Sequence, residues 1–316
     1  MALRIIFCGT PAFALPSFRL LLAEPDFKIE AVLTQPDRPR GRGQEVSASP
    51  VKDAAVDAGI AVYQPEKIKA EPVAEFFRQV APVAVVIIAY GQIIPKSLLA
   101  VPVLGWINLH ASLLPKYRGA APINWAIVNG ERRTGVTTMQ VEAGLDTGPI
   151  LMKCETEIGP NEAAPQLAAR LAEAGAPLVA ETLRRLSRGE IRAELQDDSL
   201  ATHAPILRKQ DGRIDWSLPA QAIYNRIRGL QPWPGAFSTF RGKNCQIWGK
   251  PAREVRVAVP PGSLVPAADA RRGDLVVACG DGTALGIELV QVEGRKRISA
   301  REFASGARLG PGEHFG

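Results

Sequence analysis

Residues 105–124 read GWINLHASLLPKYRGAAPIN, an apolar run followed by a turn with proline and glycine and then by a helical pattern. The run that ends at His110 has the length and composition of a buried strand. Side chains two apart on a strand point to the same face, so Asn108 and His110 should project together. The stretch therefore predicts a strand, a turn and a helix, with two polar groups where the strand ends.

The same alternation of strand and helix continues through the first half of the chain. It predicts an α/β fold with a Rossmann-like, mainly parallel sheet covered on both faces, and ligands bind such sheets at the carboxyl ends of the strands. The first strand ends in GTPAF instead of G-x-G-x-x-G, which disfavours a dinucleotide-binding dehydrogenase. The predicted strands are 3–9, 29–34, 83–89 and 106–110, and the predicted helices are 49–58, 73–80 and 123–128.

The second half of the chain has a different pattern. A helical segment over 161–186 ends in a basic turn and Gly189, and the irregular stretch after it reads as a linker. Short β-like runs separated by glycine and proline follow, which is typical of a small barrel. We therefore predict a catalytic domain 1–189, a linker 190–207 and a barrel domain 208–316. The predicted barrel strands are 244–248, 253–259, 274–279 and 285–292.

Positive charge is concentrated in the C-terminal part of the chain. Residues 206–316 contain 17 Lys and Arg against 10 Asp and Glu, a net charge of +7, whereas the whole chain carries +6. A basic barrel could follow a nucleic-acid backbone, because Lys and Arg displace counterions from phosphates. A solvated basic surface without any nucleic-acid role would give the same count.

A second basic feature lies near the N-terminus. The stretch 35–47, QPDRPRGRGQEVS, places arginines among prolines and glycines. This composition predicts neither helix nor strand, so we expect an irregular, mobile and cationic loop. From these residues alone, a merely solvated loop and an RNA-binding loop both remain open. The arginines are Arg38, Arg40 and Arg42.

Cysteines, histidines and hydropathy favour a protein without disulfides or metal. The four cysteines are scattered without a CxxC pair, and none of the three histidines has a partner at ligand spacing. The longest apolar run, residues 83–89, is far shorter than the ~20 residues that cross a bilayer. The N-terminal run lacks the cleavage site of a signal peptide. We therefore expect a soluble, cytoplasmic and metal-free protein.

Three polar residues suit acyl-transfer chemistry. An amide such as Asn108 can hold a developing oxyanion, and an imidazole such as His110 can hold or move a proton. Taken alone, the pair is more typical of a turn former and a satisfied core histidine. Asp146, in the loop GLDTGPI, adds a carboxylate, although an aspartate in a tight loop is usually a turn residue. Together they form a candidate group of oxyanion donor, imidazole and orienting carboxylate.

Longer motifs carry a family resemblance. The stretch NLHASLLPKYRGAAPINWAIVNGERRTGVTTMQVEAGLDTGPIL resembles the core of the folate-dependent formyltransferases, whose shared pattern is Asn-x-His, SLLP and an Asp-Thr-Gly loop. FCGTPAFALPSF, QPDRPRGRGQ leading into SPVK, GRIDW and IRGLQPWPGAF extend the resemblance over nearly the full length. The resemblance implies that Asn108, His110 and Asp146 are catalytic. It also implies that the C-terminal domain is an OB-like barrel that contacts tRNA.

The resemblance further implies the substrates. The formyl donor would be 10-formyltetrahydrofolate, and the acceptor would be the amino group of methionine esterified to initiator tRNA, giving N-formylmethionyl-tRNA for translation initiation. We expect a monomer. The implied folate-binding residues are Ile87, Ala89, Tyr90, Gly91, Ser112, Leu113, Leu114, Pro115, Val141 and Gly144. The expected tRNA-binding residues are Arg38, Arg40, Arg42, Arg208, Lys209 and Arg228.

Several alternatives remain open. A formyltransferase acting on an amino sugar nucleotide, or a hydrolase that releases formate from the same folate, would share the three catalytic residues. A non-catalytic RNA-binding protein would explain the basic C-terminal part but would leave those residues without a purpose. Asp146 has two candidate roles, orienting His110 or removing the amine proton through water, and both fit the sequence.

Overall fold

A computed structural model describes residues 2–40, 45–252, 255–265, 275–310 and 312–316, with backbone only at 40, 45 and 46. The chain divides into two compact units. The first unit consists of Met1–Pro122, Arg133–Glu157 and Leu167–Ala204, and the second consists of Ile123–Arg132, Ile158–Gln166 and Pro205–Gly316.

Strands and helices alternate through the first unit, and strands dominate the second. The strands are β1 (Leu3–Gly9), β2 (Phe27–Leu33), β3 (Arg38–Arg40), β4 (Glu45–Ser47), β5 (Val62–Tyr63), β6 (Ala84–Ile88), β7 (Trp106–His110), β8 (Arg118–Gly119), β9 (Arg133–Gln140), β10 (Ile150–Glu157), β11 (His203–Ala204), β12 (Phe237–Phe240), β13 (Lys243–Pro251), β14 (Leu264–Val265), β15 (Leu275–Ala278), β16 (Ala284–Val292) and β17 (Ile298–Ser299). The α-helices are α1 (Leu15–Ala23), α2 (Pro50–Asp57), α3 (Glu71–Val80), α4 (Lys96–Leu99), α5 (Pro122–Val128), α6 (Ala164–Ser187), α7 (Ala220–Gly229) and α8 (Ala300–Ala307).

The first unit is built on a seven-stranded sheet with the order β10-β9-β7-β6-β1-β2-β5. All pairs from β7 to β5 are parallel, whereas β9 and β10 are antiparallel additions at one edge. Strand β7 is covered on both faces. Trp106 stacks on Phe77 of α3, with ring centroids 5.3 Å apart, and Leu109 lies so close to Gly175 of α6 that a Cβ there would be 2.5 Å from Leu109 Cδ2. These contacts fix the strand that carries Asn108 and His110.

The second unit contains a curled antiparallel sheet, a half-barrel, with the order β12-β13-β16-β15-β14 and β17 paired to β16. Its core is apolar and includes residues from the sheet and from both α7 and α8, such as Ile247, Ile223 and Phe303. The mainly parallel sheet and this half-barrel together confirm the predicted fold class. The strands predicted at 3–9 and 106–110 are confirmed at both ends.

Two predictions of local structure are wrong. Stretch 35–47 is not wholly irregular, because β3 pairs with β4 in an antiparallel hairpin. Asp37 fixes the base of this hairpin through Lys52 Nζ and through Gln64 Nε2, which donates to Asp37 Oδ1 at 2.8 Å. Residues 255–259, the described part of a predicted strand, form no strand. Their apolar alternation reflects packing of two valines against the cluster around Val276, without a ladder of hydrogen bonds.

The stretch predicted as a linker is held to the first unit up to residue 204. Glu194 and Ile150 exchange two backbone hydrogen bonds of 2.8 and 2.9 Å. Strand β11 pairs with β8 in parallel. The domain bounds 1–189, 190–207 and 208–316 therefore stay a prediction, and residues 190–204 are structurally part of the first unit.

The described ranges contain neither a membrane-spanning helix nor a cluster of metal ligands, and their cysteines are reduced. No helix there combines the length and apolar character needed to cross a membrane. No group of three or more potential metal ligands lies together. The four cysteines are free thiols, and burial raises the pKa of Cys279 to about 12.

Candidate active site

The end of strand β7 presents two polar side chains next to the loop after β6. Asn108 pairs across the parallel ladder with Ile87, and His110 pairs on the other side with Thr137 of β9. His110 is only 6% exposed, whereas Asn108 is half-buried. Among the described residues the Asn108 amide has no hydrogen-bond partner. This amide is therefore available to a ligand.

The hydrogen bonds of His110 assign different tasks to its two ring nitrogens. Nε2 lies 2.9 Å from the backbone oxygen of Tyr117. A carbonyl oxygen can only accept, so Nε2 must carry hydrogen and donate to it. Nδ1 lies 3.6 Å from Asp146 Oδ2. A proton on Nδ1 would turn this contact into an ion pair, so Nδ1 is the nitrogen that can hold or release a proton in the site.

Asp146 reaches His110 from the loop between β9 and β10. Its backbone has a left-handed conformation with φ 53°, which is uncommon for a residue with a side chain. Its Oδ2 accepts a hydrogen bond of 2.8 Å from the backbone N of Gly119 in β8. Gly119 has φ 122°, and a Cβ there would lie 2.6 Å from Ala204 O, so this close approach of β8 and β11 requires glycine. The structure thus brings together the three residues that the sequence selected.

Sequence reasoning missed two residues behind this group. Gln196 Nε2 donates to the backbone oxygens of Asp146 and Gly148, at 2.7 Å each. Arg118 Nε and Nη2 donate to Gln196 Oε1 at 3.0 and 2.8 Å. Arg118 is only 5% exposed. Arginine is rarely buried in proteins, and the local sequence pattern does not indicate that this one is.

The expected folate-binding residues occupy different environments. Ala89 and Gly91 are exposed with positive φ just after β6, at the edge where parallel strands end. Tyr90 between them is buried, and its hydroxyl has no hydrogen-bond partner. Burial raises the pKa of Tyr90 well above its usual range. Ile87 is also buried, in the adjoining core. This edge therefore offers the exposed backbone of Ala89 and Gly91 beside β7, whereas the Tyr90 hydroxyl is enclosed in the core.

Four residues after β7, at 112–115, were expected to bind folate. Two of them, Ser112 and Leu114, have side chains that are buried within the protein. Ser112 is buried, and its hydroxyl donates to Lys116 O at 2.6 Å. Leu114 belongs to a small buried cluster with Met139 and Ile150. Leu113 and Pro115 are half-buried. Only the latter two retain accessible side-chain surface.

Val141, which follows β9, does not lie at the carboxyl end of β7, where the folate site was predicted. The expectation placed Val141 where strands end next to the site. Its backbone N instead donates to Trp106 O at 2.8 Å, at the start of β7, because β9 runs antiparallel to β7. Gly144 lies on the exposed part of the loop that leads to Asp146.

The residues expected to bind tRNA differ in their surroundings. Arg38 is exposed on β3, Arg40 is described by its backbone only, and Arg42 lies outside the described residues. In the second unit Arg208 and Lys209 are exposed.

Arg228 is not at an open surface as expected. It is 6% exposed, and its guanidinium donates to the backbone oxygens of Gly159 and Glu162 and to Asn225 Oδ1. Burial lowers the pKa of Arg228. All three guanidinium nitrogens donate to these protein oxygens, so the side chain has a structural role and is not available to a phosphate.

Comparisons with known proteins match nearly the whole chain to formyl transferases. The family described as Formyl transferase matches residues 4–183, and Formyl transferase, C-terminal domain, matches residues 206–308. The methionyl-tRNA formyltransferase of Solibacter usitatus is 54% identical over 314 residues, covering 99% of both chains. That of Geobacter metallireducens is 48% identical over 314 residues, again covering 99% of both.

Solved structures with lower identity share the fold. WlaRD, a sugar 3N-formyl transferase solved with dTDP and 5-N-formyl-THF, has a TM-score of 0.65 at 18% identity, covering 94% of this chain and 100% of its own. An N-formyltransferase from Helicobacter canadensis, in complex with folinic acid and dTDP-3-aminofucose, has a TM-score of 0.66 at 18% identity, covering 91% and 99%. At such identity these likenesses concern the fold alone.

Proposed function

The chain belongs to the formyl transferase family, and on that basis we propose that it transfers a formyl group from 10-formyltetrahydrofolate to the amino group of methionine on initiator tRNA. Relatives that carry the methionyl-tRNA formyltransferase name match it from end to end at 54 and 48% identity. Both parts of the chain match the family, including the C-terminal domain. The product is N-formylmethionyl-tRNA, which serves translation initiation.

One observation carries the proposal: the unpartnered amide of Asn108 lies two residues from His110, whose Nδ1 faces Asp146. Formyl transfer to an amine places negative charge on the formyl oxygen as the nitrogen attacks. Asn108 donates to that oxygen. No hydrogen bond within the described structure has to be broken first, so little free energy is spent on reorienting the amide. As the bond between the amine nitrogen and the formyl carbon forms, the bond between that carbon and the folate nitrogen breaks. The amine loses one proton and the folate nitrogen gains one, so the protein supplies hydrogen-bond donors and a group that relays a proton.

His110 holds and moves the proton through Nδ1. Its Nε2 is engaged with Tyr117 O at 2.9 Å and fixes the ring plane. Nδ1 can therefore donate to the oxyanion or deliver a proton toward the departing folate nitrogen. Asp146, 3.6 Å away, stabilises the charged imidazole. This contact favours an action of Asp146 on His110 over removal of the amine proton through water.

The folate is proposed to bind at the carboxyl edge of β6 and β7. Exposed backbone at Ala89 and Gly91 offers hydrogen-bonding groups to a flat pterin ring. Leu113, Pro115 and the Gly144 loop would contribute the other contacts. The donor set of amide, imidazole and carboxylate fits acyl transfer from a folate.

The tRNA is proposed to contact exposed cations in both units. Arg38 presents its side chain from the β3–β4 hairpin, whose base is fixed by Asp37. Arg208 and Lys209 are exposed at the start of the basic C-terminal part. Such residues neutralise phosphates without reading sequence. A monomeric state and a cytoplasmic location stay predictions.

The double substitution Arg208→Ala, Lys209→Ala should weaken tRNA binding in a salt-dependent way. If each side chain neutralises one phosphate, the slope of log Kd against log salt should fall by about 1.4–1.8, at about 0.7–0.9 per contact. The kcat should stay within about twofold, because neither residue touches the reacting atoms. Fluorescence titration at four salt concentrations measures the slope.

The matched control is Arg188→Ala, an exposed arginine near the end of α6 whose nearest acidic partner is 4.0 Å away. It should leave the slope unchanged. An unchanged slope in the double variant as well would remove Arg208 and Lys209 from the tRNA contact.

An assay of acceptor specificity distinguishes the proposed function from the alternative functions. The protein is incubated with 10-formyltetrahydrofolate and either methionyl initiator tRNA, methionyl elongator tRNA, a dTDP-amino sugar or no acceptor. We expect formylation of the initiator tRNA alone. Formylation of the sugar, or release of formate without acceptor, would assign the chain to one of the other two chemistries. Binding of tRNA without any formylation would make it a non-catalytic RNA-binding protein.

A further inference from the structure

We propose that Gln196 and Arg118 are positioning residues that hold the Asp146 carboxylate against His110. Both lie outside the three residues assigned to the chemistry, and neither contacts the imidazole in the described hydrogen bonds. The effect on rate rests on the proposed function, whereas the effect on the His110 ring does not.

Gln196 bridges two backbone oxygens of the Asp146 loop. Its Nε2 donates to Asp146 O and to Gly148 O, both at 2.7 Å, which uses both hydrogens of the amide. Gln196 lies 50 residues from Asp146 along the chain, next to the bonded pair of Ile150 and Glu194. A single side chain therefore ties the loop to a distant, ordered segment.

Arg118 sets the orientation of that amide. Its Nε and Nη2 both donate to Gln196 Oε1, so the NH₂ group must face the loop oxygens. A flipped amide would turn hydrogens toward a buried cation and an oxygen toward two carbonyl oxygens. The charge of Arg118 is balanced by Asp198, whose Oδ1 accepts from Nη2 at 2.8 Å and whose side chain is 83% exposed.

The Asp146 loop needs this support because its own contacts are few. Asp146 adopts φ 53°, a conformation that side-chain-bearing residues keep only when their surroundings enforce it. The preceding Leu145 is 65% exposed and Gly144 is exposed as well. Apart from the two bonds from Gln196, the described structure holds Asp146 by one hydrogen bond to its side chain, from Gly119 N to Oδ2.

One short segment connects all parts of this arrangement. Tyr117 O fixes His110 Nε2, and Gly119 N fixes Asp146 Oδ2. Arg118 lies between them and reaches Gln196, which holds the other side of the Asp146 loop. Imidazole and carboxylate are therefore positioned from the same three residues, so loosening Gln196 should change their mutual distance.

Gln196→Met keeps the length of the side chain but removes both donated bonds. We expect kcat to fall about 10- to 100-fold, because a displacement of about 1 Å at a catalytic group can cost this much. The KM for tRNA and for folate should stay within about threefold, since Gln196 is proposed to act only through the Asp146 loop. Gln291→Met is the matched control, an amide at an exposed hydrogen bond to Arg295 O, and should behave as the parent.

The His110 ring gives a readout that is independent of formylation. The chain has only three histidines, so their ring nitrogens can be resolved by ¹H–¹⁵N NMR and assigned with a His110→Gln sample. We expect the ¹⁵N chemical shift of His110 Nδ1 to move in Gln196→Met, because Asp146 no longer faces Nδ1 at the same distance. The ring ¹⁵N shifts of the other two histidines should stay as before, and Gln291→Met should change none of them.

A double-mutant cycle distinguishes positioning from general support. If Gln196 acts through Asp146, Gln196→Met should add less than about threefold to the loss caused by Asp146→Asn. Full additivity, or an unchanged ¹⁵N chemical shift of His110 Nδ1 in the folded variant, would overturn the proposal. Should Gln196→Met fail to fold, Arg118→Lys offers the same test, because one ammonium cannot reproduce the two guanidinium bonds that converge on Oε1. An unchanged Nδ1 shift of His110 in that variant would count equally against it.

Discussion

Asn108→Ala should lower kcat about 10²- to 10³-fold, which is the usual cost of losing one oxyanion donor. The reason is that its amide is the one side-chain polar group on β7 that has no partner in the described structure, whereas His110 bonds Tyr117 O through Nε2 and faces Asp146 through Nδ1. The KM for either substrate should change much less, since the donor acts where charge develops. Single-turnover formylation of charged initiator tRNA measures the effect.

The loss must be separated from a change in stability. Asn108 is half-buried on a central strand, so the thermal midpoint of the variant should be followed alongside the rate. Asn244→Ala provides a matched control, because Asn244 is an exposed asparagine on β13 in the second unit. Formylation by Asn108→Ala within threefold of the parent would remove this residue from the oxyanion role.

Sequence patterns were sufficient where a rule acts over a few residues. Period-two alternation placed Asn108 and His110 on one face of β7, and the apolar runs gave four of the five strands of the parallel part of the sheet, without β5. The end of a parallel strand is where such sheets bind ligands, so the position of the site followed from the fold class. Residue chemistry made Asp146 a candidate third member, but only the family resemblance implied its catalytic role, because 36 residues separate it from His110.

Interactions between distant segments could not be predicted in this way. Arg118 and Gln196 are 78 residues apart, and the pairing of β11 with β8 and the backbone bonds between Glu194 and Ile150 bring their segments together. The Arg38–Arg40 strand was missed because arginine and proline have low strand propensity, and pairing with Glu45–Ser47 overrides it. Arg228 was misplaced because a cation in an amphipathic helix gives no sign that backbone oxygens elsewhere will enclose it.

Asp146→Asn should reduce kcat by about 10²- to 10⁴-fold while leaving the fold intact. An asparagine oxygen can still accept from Gly119 N, as Asp146 Oδ2 does at 2.8 Å. Its NH₂ would then face His110 Nδ1 and donate to it, because Nε2–H is already directed at Tyr117 O. The imidazole would be held neutral with no hydrogen on Nδ1.

The Asp146→Asn variant tests whether His110 delivers a proton, because the substitution hardly changes the shape of the site. Geometry and hydrogen-bond count are nearly preserved, so a change in the thermal midpoint of more than a few degrees is not expected. Asp57→Asn is the control, since it removes an exposed carboxylate at the end of α2. If Asp146→Asn formylates tRNA at close to the parent rate, His110 cannot be delivering a proton through Nδ1. The chemistry would then rest on Asn108 and on the solvent as proton source, and the ion pair between His110 and Asp146 would be structural.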